Sequence, residues 1–290
     1  MATLPRIGFI GIGIMGAPMA GHLLAAGHPL TITNRSRGPR VEALLAAGAT
    51  WAESPAEVAQ ASDVVITILG FPQDVEAIWR GEGGLIATAQ PGTLLIDMTT
   101  SSPRLARELA AAAAVRGVLA LDAPVSGGEL GAKGASLSIM VGGSAAAFAA
   151  GQPVFERMGK TINRLGEAGA GQHAKMANQV IIASTLMGVA EGLSYARAAG
   201  LDGAALLGAL GAGAAGSFQL NVLGPKMVAG DFAPGFMLKH FLKDLGIAVA
   251  EADAMGLALP GLAAARTLCA AAAGLRGADA GTQAIIAALR

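Results

Sequence analysis

Residues 7–16 read Ile7-Gly8-Phe9-Ile10-Gly11-Ile12-Gly13-Ile14-Met15-Gly16. An apolar run, Ile7 to Ile10, leads into glycines spaced G-x-G-x-x-G, and a helical stretch, Ala17 to Ala26, follows. The pattern is a strand, a glycine turn and a helix start. Gly11 allows the tight turn, Gly13 lets the backbone approach a phosphate, and Gly16 lets the helix pack close on the strand. The helix N-terminus adds free N–H groups and a partial positive charge. Glycine-rich turns are common, but the strand–turn–helix context makes Gly11, Ile12, Gly13, Ile14, Met15 and Gly16 an expected pyrophosphate site. A dinucleotide is the ligand class that fits it.

Outward from this turn, strands and helices alternate. Ile7–Ile10, Leu30–Thr33, Val64–Leu69, Leu94–Asp97 and Val118–Ala123 read as buried parallel strands. Alanine-rich helical segments such as Arg40–Ala47 and Pro103–Arg116 lie between them, and Ser54-Pro55-Ala56-Glu57 is a helix start. Leu137–Val141 and Thr161–Leu165 are candidates to extend the sheet. After Leu165 the pattern changes. A glycine-rich hinge, Gly166 to Gly171, precedes one long proline-free helix from Gln172 to about Gly200. Only helical patterns follow, broken at Gly224-Pro225, Ala233-Pro234-Gly235 and Leu259-Pro260-Gly261. The fold class expected is α/β: a doubly wound Rossmann sheet over residues 1–165, then a long helix and an all-α domain over residues 166–290.

Composition narrows the partners. With 290 residues, 53% of them hydrophobic, the chain is long enough for a sizeable core and two domains. A formal net charge of zero offers no electrostatic case for nucleic acid or an anionic membrane. Cys269 is the sole cysteine, so no intramolecular disulfide forms, which fits a reducing cytoplasm. Arg6 and the apolar stretch after it imitate a signal peptide, but glycines at fingerprint spacing argue against one. The longest apolar segment, Met176 to Ala190, carries Asn178, Gln179, Ser184 and Thr185, and reads as a buried helix rather than a membrane span.

Three further constellations carry chemistry. The second strand ends in Asn34-Arg35-Ser36. An acidic residue there would take ribose hydroxyls. Asn34 brings no carboxylate to repel a 2′-phosphate, Arg35 supplies a planar cation suited to one, and Ser36 adds a donor, so NADPH is the cofactor expected. The bland alternative is a solvated loop arginine. Next, Asp122-Ala123-Pro124-Val125-Ser126-Gly127-Gly128 follows a strand, and its backbone N–H groups with the Ser126 hydroxyl could hold a carboxylate. Taken alone, an ordinary glycine turn explains it at least as well. Finally, Lys175 and Asn178 are three apart on a helix and share a face with apolar flanks. A buried lysine is costly without a partner or a job, and a structural lysine is the alternative. His22, His28, His173 and His240 show no metal-ligand spacing, so no metal is expected. His240, near Lys243, could approach a cofactor or simply pack. Cys269 reads as a small buried hydrophobe.

Taken together, Gly11-Ile-Gly-Ile-Met-Gly16-Ala-Pro-Met19, Asp122-Ala-Pro-Val-Ser-Gly-Gly128, Gly169-Ala-Gly-Gln-His-Ala-Lys175-Met-Ala-Asn178 and Lys243-Asp244-Leu245 resemble the β-hydroxyacid dehydrogenases. That family includes 3-hydroxyisobutyrate dehydrogenase, tartronate semialdehyde reductase and glyoxylate/succinic semialdehyde reductase. The motifs stand in family order, and the resemblance covers essentially the whole chain. It implies that Lys175 is the catalytic lysine and that Asn178 orients the substrate. Ser126, Gly127 and Gly128 would hold the substrate carboxylate. Thr100 would sit near nicotinamide and substrate, Leu69, Phe71 and Pro72 would line the cofactor side, and Phe236 would cover the nicotinamide region. Lys243 would reach the cofactor from the second domain. His22 stands where many relatives carry Asn, a change expected to affect helix packing only.

The implied reaction is reversible hydride transfer between the nicotinamide and a short carbonyl acid in a cleft between domains. Lys175 would protonate the forming alkoxide. The substrate cues disagree. Lys175-Met-Ala-Asn178-Gln179 and Ser126-Gly-Gly-Glu129 look like tartronate semialdehyde reductases. Asn34-Arg35-Ser36 and Phe236-Met-Leu-Lys239-His240 look like NADPH-dependent glyoxylate/succinic semialdehyde reductases. 3-Hydroxyisobutyrate oxidation, imine reduction and a non-catalytic NADP-binding role are the alternatives. The last is disfavoured because Lys175, Ser126 and Asn178 are all present. 6-Phosphogluconate dehydrogenases have a longer second domain and a histidine at the Asn178 position. An all-α domain this apolar is expected to pair with another copy, giving a homodimer or homotetramer.

Overall fold

The structure, a computed structural model, describes residues 4–289. Among these, nine strands form one sheet: β1 (Ile7–Ile10), β2 (Leu30–Thr33), β3 (Thr50–Trp51), β4 (Val64–Thr67), β5 (Leu94–Asp97), β6 (Leu119–Asp122), β7 (Val125–Ser126), β8 (Leu137–Gly142) and β9 (Gly159–Gly166). The order is β3-β2-β1-β4-β5-β6-β8-β7, with β9 also on β8. Strands β3 through β6 in this order are parallel, and β8 runs antiparallel to β6 and β7. The chain starts in the middle of the sheet, winds outward to β3, then returns to build the other half from β4. The reversal between β1 and β4 opens a crevice at the strands' carboxyl ends.

The central strands are buried on both faces, which is why they read as unbroken apolar runs. Ile7, Phe9, Ile66 and Ile96 point into one core; Ile10, Val65 and Leu95 point into the other. Each such side chain contributes about 1.5–3 kcal/mol of burial. The helices start where the sequence signals them. Ser54 and Ser102 accept N–H bonds from Glu57 and Leu105, and proline follows each in the first turn. Strand β4 ends at Thr67, two residues before the expected Leu69, because the Leu69 N–H turns away to the Thr99 hydroxyl at 2.8 Å. The short strand Thr50–Trp51 and the helices Pro72–Arg80 and Ala145–Phe155 were not expected individually.

The chain divides into two compact units, one ending at Lys175 and the other beginning at Met176. The long helix runs from Ala170 to Ala198. The second unit has its own core, including Leu186, Phe241, Leu262 and Ile285. Its elements are helices, with one isolated bridge between Met237 and Gly281. Pro225 and Pro260 each sit in the first turn of a helix, so the expected breaks are helix starts. Among the described residues, no helix is long and apolar enough to cross a membrane.

Candidate active site

Parallel strands carry their carboxyl-end loops to one edge of the sheet. In the first unit this gathers the turn after β1, Leu69–Pro72 after β4, Thr99–Ser101 after β5 and Ala123–Gly128 after β6. The turn after β1 fits a dinucleotide pyrophosphate. Gly11 has φ +101°, a left-handed conformation suited to glycine. A Cβ at Gly16 would run into the Gly11 carbonyl oxygen, so this glycine brings helix and turn together. A Cβ on Gly13 would meet no atom within 4 Å, leaving open space over the turn. Among the described residues, no protein acceptor engages the N–H groups of Gly13, Ile14 or Met15.

Asn34 is tied into this turn. Its Oδ1 accepts from the Ile12 N–H at 3.1 Å, and its Nδ2 donates to the Ser36 carbonyl at 2.9 Å. The residue therefore shapes the loop as well as sparing it a charge. Arg35 and Ser36 are exposed beside it. Arg37, by contrast, lies over the Trp51 ring at 5.3 Å and pairs with Glu42 at 3.0 Å.

Ser126, Gly127 and Gly128 form a turn with φ +124° at Gly127 and +59° at Gly128. Glycine is needed here for the backbone path, and both glycines are exposed. The helix that follows, Gly128–Lys133, ends against His22, whose Nε2 lies 3.0 Å from the Ala132 carbonyl and 3.1 Å from that of Lys133. His22 thus caps the helix behind the Ser126 turn, a contact more specific than the expected packing.

Lys175 is buried, with 7% of its surface exposed. Its Nζ donates to the Val125 carbonyl at 2.8 Å, one residue before Ser126. Its helix is anchored by Asp122, whose Oδ1 accepts from Gly169 N at 2.7 Å and whose Oδ2 accepts from Gln172 N at 2.8 Å. The expected glycine hinge is thus a turn pinned to the end of β6. The Gln172 side chain reaches the loop after β5. Its Oε1 accepts from Ser101 N at 2.9 Å, and its Nε2 donates to the Thr99 carbonyl at 2.7 Å, straddling the half-buried Thr100. Gln172, Asp97 and the anchoring role of Asp122 were not picked out from sequence. The signal available was an acidic residue closing each of two buried strands.

Burial dominates the carboxyl chemistry. It pushes Asp97 up to about 7, opposed by hydrogen bonds from Thr99 and Thr67 and assisted by the charge of Asp122. It pushes Asp122 up to about 6, opposed by the backbone N–H groups of Gly169 and Gln172.

Asn178, Phe236 and Lys243 belong to the second unit. Asn178 donates to Gln179 Oε1 at 2.7 Å, and Gln179 donates to the buried Asp244 at 2.6 Å. Lys243 Nζ lies 2.8 Å from Asp244 Oδ1. Phe236 is partly exposed and packs edge-on against Phe241. His240 is half-buried, and desolvation with the charges of Lys243 and Lys239 holds it below its ordinary value. Burial pushes the Cys269 thiol up to about 12, in keeping with an apolar role. Among the described residues, no three His, Cys, Asp or Glu cluster to hold a metal ion.

The chain is similar to known proteins along nearly its whole length. Residues 6–166 match the family described as the NAD binding domain of 6-phosphogluconate dehydrogenase, and residues 169–289 match NAD-binding of NADP-dependent 3-hydroxyisobutyrate dehydrogenase. A probable 3-hydroxyisobutyrate dehydrogenase-like protein of Arabidopsis thaliana is 47% identical, covering 98% of this chain and 85% of its own. The 2-hydroxy-3-oxopropionate reductase of Escherichia coli is 41% identical over 91% of this chain and 89% of its own. A solved 3-hydroxyisobutyrate dehydrogenase of Mycobacterium tuberculosis, with L-serine, superposes with a TM-score of 0.90 at 34% identity, covering 99% of this chain and all of its own. The chain belongs to the β-hydroxyacid dehydrogenase family of NAD(P)-dependent oxidoreductases.

Proposed function

We propose that this dehydrogenase prefers NADPH and reversibly reduces a short semialdehyde acid to a β-hydroxy acid, with Lys175 as the catalytic acid. The observation that carries the reading is the buried Lys175 ammonium held 2.8 Å from the Val125 carbonyl, beside Ser126. The nicotinamide, when bound, supplies or takes up the hydride. Lys175 donates a hydrogen bond to the substrate carbonyl oxygen and then its proton to the forming alkoxide. Ser126 and the N–H groups of Gly127 and Gly128 hold the carboxylate, and Asn178 orients the substrate. Thr100 faces the nicotinamide and substrate, Leu69, Phe71 and Pro72 line the cofactor side, and the family resemblance assigns Phe236 and Lys243 to cofactor binding. The segment 166–290 serves as the substrate and dimerisation domain of a cytoplasmic homodimer or homotetramer.

Among substrates, 2-hydroxy-3-oxopropionate (tartronate semialdehyde) has the support of the E. coli relative's name, and glyoxylate or succinic semialdehyde that of Asn34-Arg35-Ser36. The 3-hydroxyisobutyrate relatives make that acid the second reading. The test is NADPH and NADH oxidation with these aldehydes and methylmalonate semialdehyde, with Lys175→Ala alongside. Lysine-dependent turnover preferring NADPH is expected. Near-normal kcat in Lys175→Ala overturns the assignment.

A further inference from the structure

Gln172 is fully buried, and both ends of its amide are committed. The Ser101 N–H can only donate and the Thr99 carbonyl can only accept, so the amide has one workable orientation. The two bonds bracket Thr100. The Gln172 N–H is itself held by Asp122 Oδ2, and Lys175 follows one helical turn later. Thr99 extends the linkage, since its hydroxyl accepts from Leu69 N at 2.8 Å and its N–H donates to Asp97 Oδ1 at 3.1 Å. The Gln172 side chain thus joins the lysine-bearing helix to the loop after β5, Thr99 ties that loop to the one after β4, and Asp122 at the end of β6 holds the Gln172 N–H.

We propose that Gln172 is a positioning residue: its amide clamps the Thr99–Ser101 loop to the helix and so fixes Thr100 relative to the Lys175 ammonium. The proposal rests on the Lys175-dependent reaction above. Gln172 touches no reacting atom in this scheme. It sets a spacing, and loss of such a spacing lowers the rate of the chemical step more than it lowers cofactor affinity.

The variants are Gln172→Met, which keeps the bulk and loses both bonds, and Gln172→Glu. A neutral Glu carboxyl repeats the donor and acceptor of the amide, whereas the carboxylate loses the donor to the Thr99 carbonyl. Thermal melting, NADPH affinity by fluorescence titration, kcat and KM are measured from about pH 5.5 to about pH 9. The wild-type profile corrects for the titration of neighbouring Asp97 and Asp122. Gln172→Met is expected to lose about 10- to 100-fold in kcat with little change in NADPH affinity. Gln172→Glu is expected to approach wild type at the acid end and fall to the Met variant's level as pH rises. If Gln172→Met lowers melting temperature alone, or if the two variants share one relative pH profile, the positioning role is overturned. Lys175→Ala in the same assay separates the two readings. If it stays active, the reaction scheme itself fails. If it is inert while Gln172→Met is unimpaired, only the positioning role fails.

Discussion

Lys175 Nζ and the Val125 carbonyl oxygen are 2.8 Å apart, so the buried ammonium is held by the residue leading into Ser126. Burying an ammonium group carries a desolvation penalty. Replacing it with an apolar side chain of similar length removes that penalty. Lys175→Met is therefore expected to melt at or above the wild-type temperature while kcat falls about 10²- to 10⁴-fold. A variant that loses both stability and activity would make Lys175 a structural lysine.

Two glycines of the first turn separate folding from binding. At Gly16, an added methyl meets the Gly11 carbonyl oxygen, and Gly16→Ala should lose about 1–3 kcal/mol of stability. At Gly13 the added methyl meets nothing, so Gly13→Ala should fold normally. It occupies the space over the turn, and NADPH affinity should fall about tenfold or more, some 1.4 kcal/mol. Melting curves and fluorescence titrations of the two variants measure both effects. Unchanged NADPH affinity in Gly13→Ala would move the pyrophosphate elsewhere.

Cofactor preference is argued from Asn34 and Arg35. Exposed Arg35 is available to a 2′-phosphate, whereas Arg37 is engaged with Trp51 and Glu42. A charge-assisted pair contributes about 1.5–3 kcal/mol, so Arg35→Ala should lower kcat/KM for NADPH about 10- to 100-fold and leave NADH nearly untouched. Asn34→Asp can still accept from Ile12 N–H, but it turns a carboxylate oxygen toward the Ser36 carbonyl and repels a phosphate. Its preference should move toward NADH. Equal losses with both cofactors would assign these residues to loop structure alone.

Most of the first unit was legible because its signals are local. Ile7–Ile10 and Leu94–Asp97 read as buried strands since both sheet faces are covered. The turn after β1 was legible because its glycines answer a backbone need that one stretch of chain displays. What stayed hidden depends on residues far apart in sequence. Asp122 grips Gly169 and Gln172 across 47 and 50 residues, and a carboxylate closing a buried strand does not by itself say which distant N–H groups it takes. Gln172 reaches back 73 residues to Thr99. His22 read as a packing substitution because its acceptors, at Ala132 and Lys133, lie 110 and 111 residues away. The two-residue strand Thr50–Trp51 is too short to show a period and exists by pairing with β2.

Asp97 and Asp122 are paired residues on adjacent strands, both buried. Burial raises Asp97 to about 7 and Asp122 to about 6, from 3.8 in the unfolded chain. The folded protein therefore binds more protons than the unfolded chain between about pH 4 and about pH 7, and the contribution of these groups to stability falls as pH rises through that window. Exposed Asp63, Asp231 and Asp279 are held low, and their contribution is lost only below about pH 4. His240 is held below 6.5, so its contribution has the opposite slope below that value. Asp97→Asn isolates the carboxyl effect. The amide oxygen can still accept from Thr67 and Thr99, and the charge is gone. Thermal melts from about pH 5 to about pH 8 should show a smaller decline for the variant and a higher melting temperature than wild type at the alkaline end. Parallel wild-type and variant curves would show that Asp97 is not the group whose ionisation opposes folding.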